Sequence, residues 1–214
     1  MDARAHPRTP TGRALVLGAN GFLGSHVVRA LLDDGRSVRA MVRASSDTRS
    51  IDGLEVERVQ GDVLDAASLA QAMRGCETVY HSVVDTRAWL RDPAPLRRVN
   101  VDGLRLSMDA ALEAGVKRFV FTSTLGTIGL NPTGVATEVD AFNWADDAPA
   151  YILTRVEAET LFFQYCREKG LPGVACCVAN TFGANDFAPT PHGKLLYDAA
   201  RGLVPVSWPG RFAI

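Results

Sequence analysis

Gly18-Ala19-Asn20-Gly21-Phe22-Leu23-Gly24 decides how the rest of this chain is read. Ahead of it, Ala14 to Leu17 is short, apolar and strand-like. Behind it, Val27, Val28, Leu31 and Leu32 recur at helical spacing until Gly35 stops the pattern. Glycines spaced three apart therefore join a strand to a helix. Glycine at the first position allows a tight turn, at the second lets a pyrophosphate approach the backbone, and at the third lets the helix pack closely on the strand. The helix N-terminus adds free N–H groups and the positive end of its dipole, so the stretch predicts dinucleotide binding.

The same alternation continues downstream. Strand candidates fall at Ser37 to Val42, Leu54 to Gln60, Thr78 to Ser82, Arg118 to Thr122 and Gly173 to Val178, with helical patterns between them. The clearest helices are Val101 to Ala114, closed by Gly115, and Tyr151 to Lys169, closed by Gly170. Strands that alternate with helices imply right-handed crossovers and a parallel sheet covered on both faces. The expected fold class is α/β, a doubly wound Rossmann sheet. Its NAD(P)-binding domain spans residues 14–189, behind a flexible tail at residues 1–13 that holds Pro7 and Pro10.

Composition narrows the function classes. At 214 residues and 47% hydrophobic, the chain can build one sizeable core. The formal net charge is −1 with acids and bases interspersed, so no basic stripe points to nucleic acid. No apolar run approaches the ~20 residues of a membrane span, and the N-terminus lacks the apolar core of a signal peptide. Cys76, Cys166, Cys176 and Cys177 have no metal-ligand spacing, so no metal is expected, and they suit a reducing cytoplasmic setting. Cys176 and Cys177 read as buried strand residues.

The dinucleotide is read from the end of the second strand, where an Asp or Glu would accept from a ribose 2′-OH. The chain has Met41-Val42-Arg43-Ala44-Ser45-Ser46 there, a guanidinium and hydroxyls in place of a carboxylate. Arg43 suits a 2′-phosphate, so NADP is expected ahead of NAD. After the third strand, Gly61-Asp62-Val63 offers Asp62 either to the adenine amine or to the cap of the following turn.

These stretches, with Val99-Asn100-Val101-Asp102-Gly103, Phe121-Thr122-Ser123-Thr124, and Tyr151 followed four residues later by Arg155, resemble the extended short-chain dehydrogenase/reductases. Within that family the likeness is to dihydroflavonol reductases and other NAD(P)-dependent epimerase/dehydratase proteins, over nearly the whole chain from Ala14. The resemblance implies that Gly18, Asn20, Gly21, Phe22, Leu23, Gly24, Arg43, Asp62, Val63, Ser123, Tyr151 and Arg155 hold the cofactor. It implies a catalytic set of Tyr151 as acid, Thr124 orienting the carbonyl, with Ser123 as the alternative by one residue of register, and Arg155 beside the phenol. The physical need is plain: hydride addition builds negative charge on an oxygen that requires a donor and a proton. The family's YxxxK is here Tyr151-Ile152-Leu153-Thr154-Arg155. Arginine keeps the charge on the same helix face but lends no proton. The competing reading of Arg155 is a surface arginine paired with Glu159. Asn100 reads either as the family's backbone-bonding asparagine or as a helix N-cap.

The implied function is reduction of a ketone or aldehyde, or oxidation of the alcohol, on a small-molecule substrate. Two alternatives stand beside it: a nucleotide-sugar epimerase or dehydratase, and a non-catalytic dinucleotide-binding protein. Residues 190–214 resemble the start of the family's substrate-binding region, so the substrate lobe is expected to be truncated and apolar surface exposed. The family's pairing mode implies a homodimer through Val101 to Ala114 and Tyr151 to Lys169, by an apolar outer face.

Overall fold

The computed structural model describes residues 12–204. Most of the expected tail and the end of the expected substrate region, including Phe212 to Ile214, lie outside them. Six parallel strands form one sheet: β1 (Arg13–Leu17), β2 (Val38–Val42), β3 (Glu57–Gln60), β4 (Cys76–His81), β5 (Arg118–Thr124) and β6 (Gly173–Val178). Their order is β3-β2-β1-β4-β5-β6. The direction of winding reverses between β1 and β4, and ligands of such sheets sit in the crevice at the C-terminal strand ends of that switch point. The helices are α1 (Phe22–Asp33), α2 (Ala66–Met73), α3 (Ala94–Arg97), α4 (Gly103–Glu113), α5 (Ala150–Glu168) and α6 (Pro191–Ala200).

Strand periodicity explains the two cores. Successive side chains of β1 point to opposite faces. Ala14 and Val16 join Val28, Leu31, Val38, Ala40 and Ile51 beneath α1, while Leu15 and Leu17 join Leu69, Met73, Leu104, Met108, Phe119 and Phe162 beneath α2, α4 and α5. Both faces of the sheet are thus covered, as a parallel sheet requires.

Several expectations need correction. The third strand covers Glu57–Gln60 rather than starting at Leu54, and the helix expected from Val101 begins at Gly103, after a π-turn at Arg98–Asp102. Cys176 is exposed and Cys177 half-buried, because β6 is the edge strand and its apolar run is covered on one side only. The outer faces of α4 and α5 are mixed where an apolar stripe was expected, with Leu153 and Phe163 exposed on α5 among charged residues. Arg97 pairs with Glu157 at 2.6 Å, and Asp109 meets Lys169 at 3.3 Å. More apolar surface lies on α6, which has no buried residue and exposes Leu195, Leu196 and Tyr197. No helix among the described residues is long and apolar enough to cross a membrane.

Candidate functional site

The glycine turn lies at the C-terminal end of β1, and each glycine has a separate reason. Gly18 has φ +77°, and a Cβ on it would fall 2.8 Å from the Ser82 carbonyl oxygen at the end of β4. A Cβ on Gly24 would fall 2.0 Å from the Gly18 carbonyl oxygen, so the first turn of α1 lies directly on the loop. Gly21 differs. It is exposed, and a Cβ there would meet nothing nearer than the Gly18 oxygen at 3.3 Å. The protein's own packing constrains position 21 less than 18 or 24, and the exposed side of Gly21 suits a pyrophosphate pressed against the backbone. Gly21 also caps α1 without a side-chain hydrogen bond, which leaves the first N–H groups of Phe22 and Leu23 uncapped by side chains. Those residues fit the pyrophosphate of a dinucleotide on this structural ground.

Neighbouring segments hold the turn in place. The Asn20 side-chain amide donates to the Asp47 carbonyl at 3.1 Å, and the Ser50 hydroxyl donates to the Asn20 carbonyl at 2.8 Å. Arg43, at the end of β2, is exposed beside Ser45 and the half-buried Ser46. Asp62 follows β3, where its Oδ1 accepts from the Leu64 N–H at 2.9 Å. That oxygen therefore takes the turn-capping role, one of the two readings left open above. Val63 is buried and packs against Gly103.

At the end of β5 the hydroxyls have different duties. Ser123 is buried and donates to the Glu159 carboxylate on α5. Thr124 Oγ1 accepts from the Gly126 N–H at 3.2 Å, capping the short turn Leu125–Thr127. Accepting there leaves the Thr124 hydroxyl hydrogen to donate elsewhere, whereas that of Ser123 is committed. A Cβ on Gly126 would lie 2.6 Å from Ile152 Cδ1, so this turn abuts the residue next to Tyr151.

Tyr151 and Arg155 share a face of α5. Burial pushes the Tyr151 phenol up, and the charge of Arg155 draws it part of the way back. Arg155 is 2% exposed, so the reading of a surface arginine is corrected. Its Nη2 donates to the Thr122 carbonyl, and its guanidinium carbon stands 4.9 Å from the Phe121 ring centroid. No ion pair joins it to Glu159 among the described residues, and its Nε and Nη1 are buried without partners. His81 ends β4 beside it, 1% exposed, with neither ring nitrogen hydrogen-bonded. Burial first, then the Arg155 charge, pulls its pKa to about 3, so it is neutral at any working pH.

Asn100 sits in the π-turn and is no N-cap. Its Oδ1 accepts from the Asp85 N–H at 2.7 Å, and its Nδ2 donates to the Asp85 carbonyl and to Thr154 Oγ1, each at 3.1 Å. It thereby ties the loop after β4 to the first turn of α5. Asp85 itself is engaged by Arg87, which holds its carboxyl below the usual range, and Trp89 on the same loop is 70% exposed. Phe142 meets Trp144 at a tilt, with ring centroids 5.2 Å apart. Sequence reasoning reaches Glu159 only as a candidate partner of Arg155 and gives Thr127 no role; the Thr127 hydroxyl lies 3.0 Å from the Glu159 carboxylate. The signal for Glu159 was its spacing, two helical turns beyond Tyr151 on the same face.

The described site residues thus follow the C-terminal edge of the sheet in strand order: Asp62, Arg43, the glycine turn, His81 and Thr124, with Tyr151 and Arg155 packed beside β5. Comparison with known proteins bears on the family and the fold. A family model described as the NAD dependent epimerase/dehydratase family matches residues 14–204. The chain is similar to sterol demethylase protein B of Methylococcus capsulatus, 37% identical over 199 residues, covering 92% of this chain and 60% of that protein. It is also similar to a putative dihydroflavonol 4-reductase of Synechocystis sp., 32% identical over 191 residues, covering 89% of this chain and 55% of the relative. Among solved structures, that of gox2253 superposes with a TM-score of 0.84 at 36% identity, covering 90% of this chain and 58% of the other. The chain spans between half and two thirds of the length of these proteins.

Proposed function

The chain belongs to the NAD dependent epimerase/dehydratase family, and from that premise we propose that it is an NADP-dependent oxidoreductase acting on a small ketone or aldehyde, or on the corresponding alcohol. In this reading residues 14–189 hold the cofactor, residues 190–214 begin the substrate region, and the chain works in the cytoplasm as a homodimer.

When bound, the dinucleotide supplies or accepts a hydride. Gly18, Asn20, Gly21, Phe22, Leu23 and Gly24 would hold its pyrophosphate, Arg43 its 2′-phosphate, and Asp62 with Val63 its adenine end, while Ser123 shapes the nicotinamide end through its backbone. Thr124 donates to the substrate oxygen and orients it. Tyr151 delivers the proton in reduction and removes it in oxidation. Arg155 acts by its charge, which favours the phenolate. To reach a ribose, its guanidinium would have to turn away from Thr122 and Phe121; its charge acts on Tyr151 without that movement.

The observation that carries this reading is the division of labour at the strand ends. The exposed Gly21 borders a space that the protein does not fill, and Thr124 keeps its hydrogen while Ser123 spends its own on Glu159. The test is calorimetric titration with NADPH and NADH on wild type and Arg43→Ala, then turnover on a carbonyl panel by wild type and Tyr151→Phe. NADPH is expected to bind more tightly than NADH, with at least a tenfold loss in Arg43→Ala confined to NADPH, and Tyr151→Phe is expected to abolish turnover. Binding of neither dinucleotide would overturn the proposal.

A further inference from the structure

Glu159 has no part in the reaction just proposed, yet its surroundings are more specific than those of any other acidic residue on α5. One carboxylate oxygen gathers donors from three elements. Its Oε2 accepts from Ser123 at the end of β5, from Thr127 Oγ1 at 3.0 Å in the following turn, and from Cys177 Sγ at 3.9 Å on β6. The single Thr127 hydroxyl hydrogen is shared between that carboxylate and the Thr124 carbonyl oxygen, 2.8 Å away. The residues that flank Thr124 are therefore fastened to the helix that carries Tyr151.

A second feature concerns charge. Arg155 and Glu159 are one helical turn apart on one face, the spacing at which opposite charges ordinarily pair. No ion pair joins them among the described residues: the carboxylate takes the hydroxyl donors instead, while its charge still acts on Arg155. The buried guanidinium faces Tyr151 and His81 without a carboxylate in contact.

We propose that Glu159 is a positioning residue of the Thr124–Tyr151 pair, clamping the Thr124 turn to α5 through Ser123 and Thr127 and, by being so clamped, leaving Arg155 free to act on the phenol. The inference deepens the oxidoreductase reading and rests on it. Among the other titratable groups near the clamp, Glu138 also acts on the Cys177 thiol. His81 on β4 is neutral, and the Cys177 thiol on β6 is pushed up by burial and by the nearby carboxylate of Glu159, hence protonated.

The decisive experiment follows the Tyr151 phenol itself. The chain has four tyrosines; 3-fluorotyrosine is incorporated at all of them, and the Tyr151 signal is assigned in the 19F spectrum by its absence from Tyr151→Phe. Glu159→Gln keeps an acceptor for Ser123 and Thr127 but removes the negative charge that offsets Arg155. Its Tyr151 titration is expected to move to lower pH, by about half a pH unit or more for a charge at two helical turns. The double variant Ser123→Ala/Thr127→Val removes the clamp and frees Glu159 to pair with Arg155. Its titration is expected to move the other way, to higher pH. A glutamate whose charge and clamp do not reach the Tyr151 phenol predicts neither movement, and coincident titrations in wild type and both variants would overturn the proposal. NADPH binding and turnover on the same samples report separately on the function. Their loss in wild type, with the two opposite movements intact, would remove the oxidoreductase reading and leave the action of Glu159 on Tyr151 standing.

Discussion

Gly21→Ala and Gly24→Ala are the same chemical change three residues apart, and the structure assigns them opposite consequences. At Gly24 the new methyl would sit 2.0 Å from the Gly18 carbonyl oxygen and 2.8 Å from its carbon. Both are backbone atoms, so relief requires the turn and α1 to separate by more than an ångström. Overpacking of this kind costs about 3 kcal/mol, of which the better helix propensity of alanine returns about 1. At roughly 2–4 °C per kcal/mol for a domain of this size, Tm should fall by about 4–8 °C. At Gly21 the backbone has φ −72° and ψ 166°, an extended conformation open to any residue, and the nearest atom to a new methyl is 3.3 Å away. Losing a glycine N-cap costs at most about 1 kcal/mol, so Tm should fall by no more than about 2–4 °C. The methyl would instead occupy the space proposed for the pyrophosphate, and NADPH affinity should drop more than tenfold, about 1.4 kcal/mol or more. Scanning and titration calorimetry on both variants separate the two effects. Gly21→Ala binding NADPH as wild type does would refute the placement of the pyrophosphate, and Gly24→Ala melting with wild type would refute the close approach.

Two further outcomes follow from buried charge. His81 titrates near 3 in the folded chain and near 6.5 when unfolded, so the unfolded state binds the extra proton between those values. Stability is therefore full above about pH 6.5 and lost as pH falls, by about 2 kcal/mol at pH 5. His81→Phe, compatible with the rings of Phe119 and Phe121 about 6 Å away, should flatten that acid slope. Urea unfolding at pH 7 and pH 5 measures it, and an equally steep loss in the variant would count against the assignment. Arg155→Met removes the charge that holds the Tyr151 phenol down. The 19F titration should then move to higher pH, and no movement would mean that the guanidinium does not act on Tyr151.

What the sequence made legible was whatever depends on backbone geometry and periodicity. The glycine turn, the alternation of Ala14, Leu15, Val16 and Leu17 between two cores, and the placing of Tyr151 and Arg155 on one face all follow from local rules. Strand order decided the rest. Cys176 and Cys177 belong to a run as apolar as that of β1, and only the position of β6 at the sheet edge exposes it. Arg39 falls within the expected strand Ser37 to Val42, but nothing local shows that it is buried in β2, where its Nη1 donates to the Ala72 and Arg74 carbonyls at the end of α2. No local pattern announces a partner 33 residues away. The clamp at Glu159 was hidden for the same reason, since its donors come from β5, the turn after it, and β6. Thr124 could be separated from Ser123 only once the direction of each hydroxyl was fixed.

The buried arginines themselves distinguish scaffold from site. Arg36 reaches the Gly12 carbonyl, Thr78 and Tyr80, and Arg39 reaches two carbonyls and Glu57, so each leaves only Nε without a partner. Carbonyl-capped arginines of this kind fasten one element to another, and burial is compensated by the bonds made. Arg155 is more deeply buried than either, yet it keeps a single carbonyl, with two nitrogens unpaired and the Glu159 carboxylate bonded to hydroxyls instead. Folding alone would not favour that arrangement, because a neighbouring glutamate was at hand to satisfy it. Local rules of this sort are broken chiefly where function requires it. The cost falls on the one guanidinium that faces a buried phenol, where an unquenched charge changes what the phenol can do with a proton.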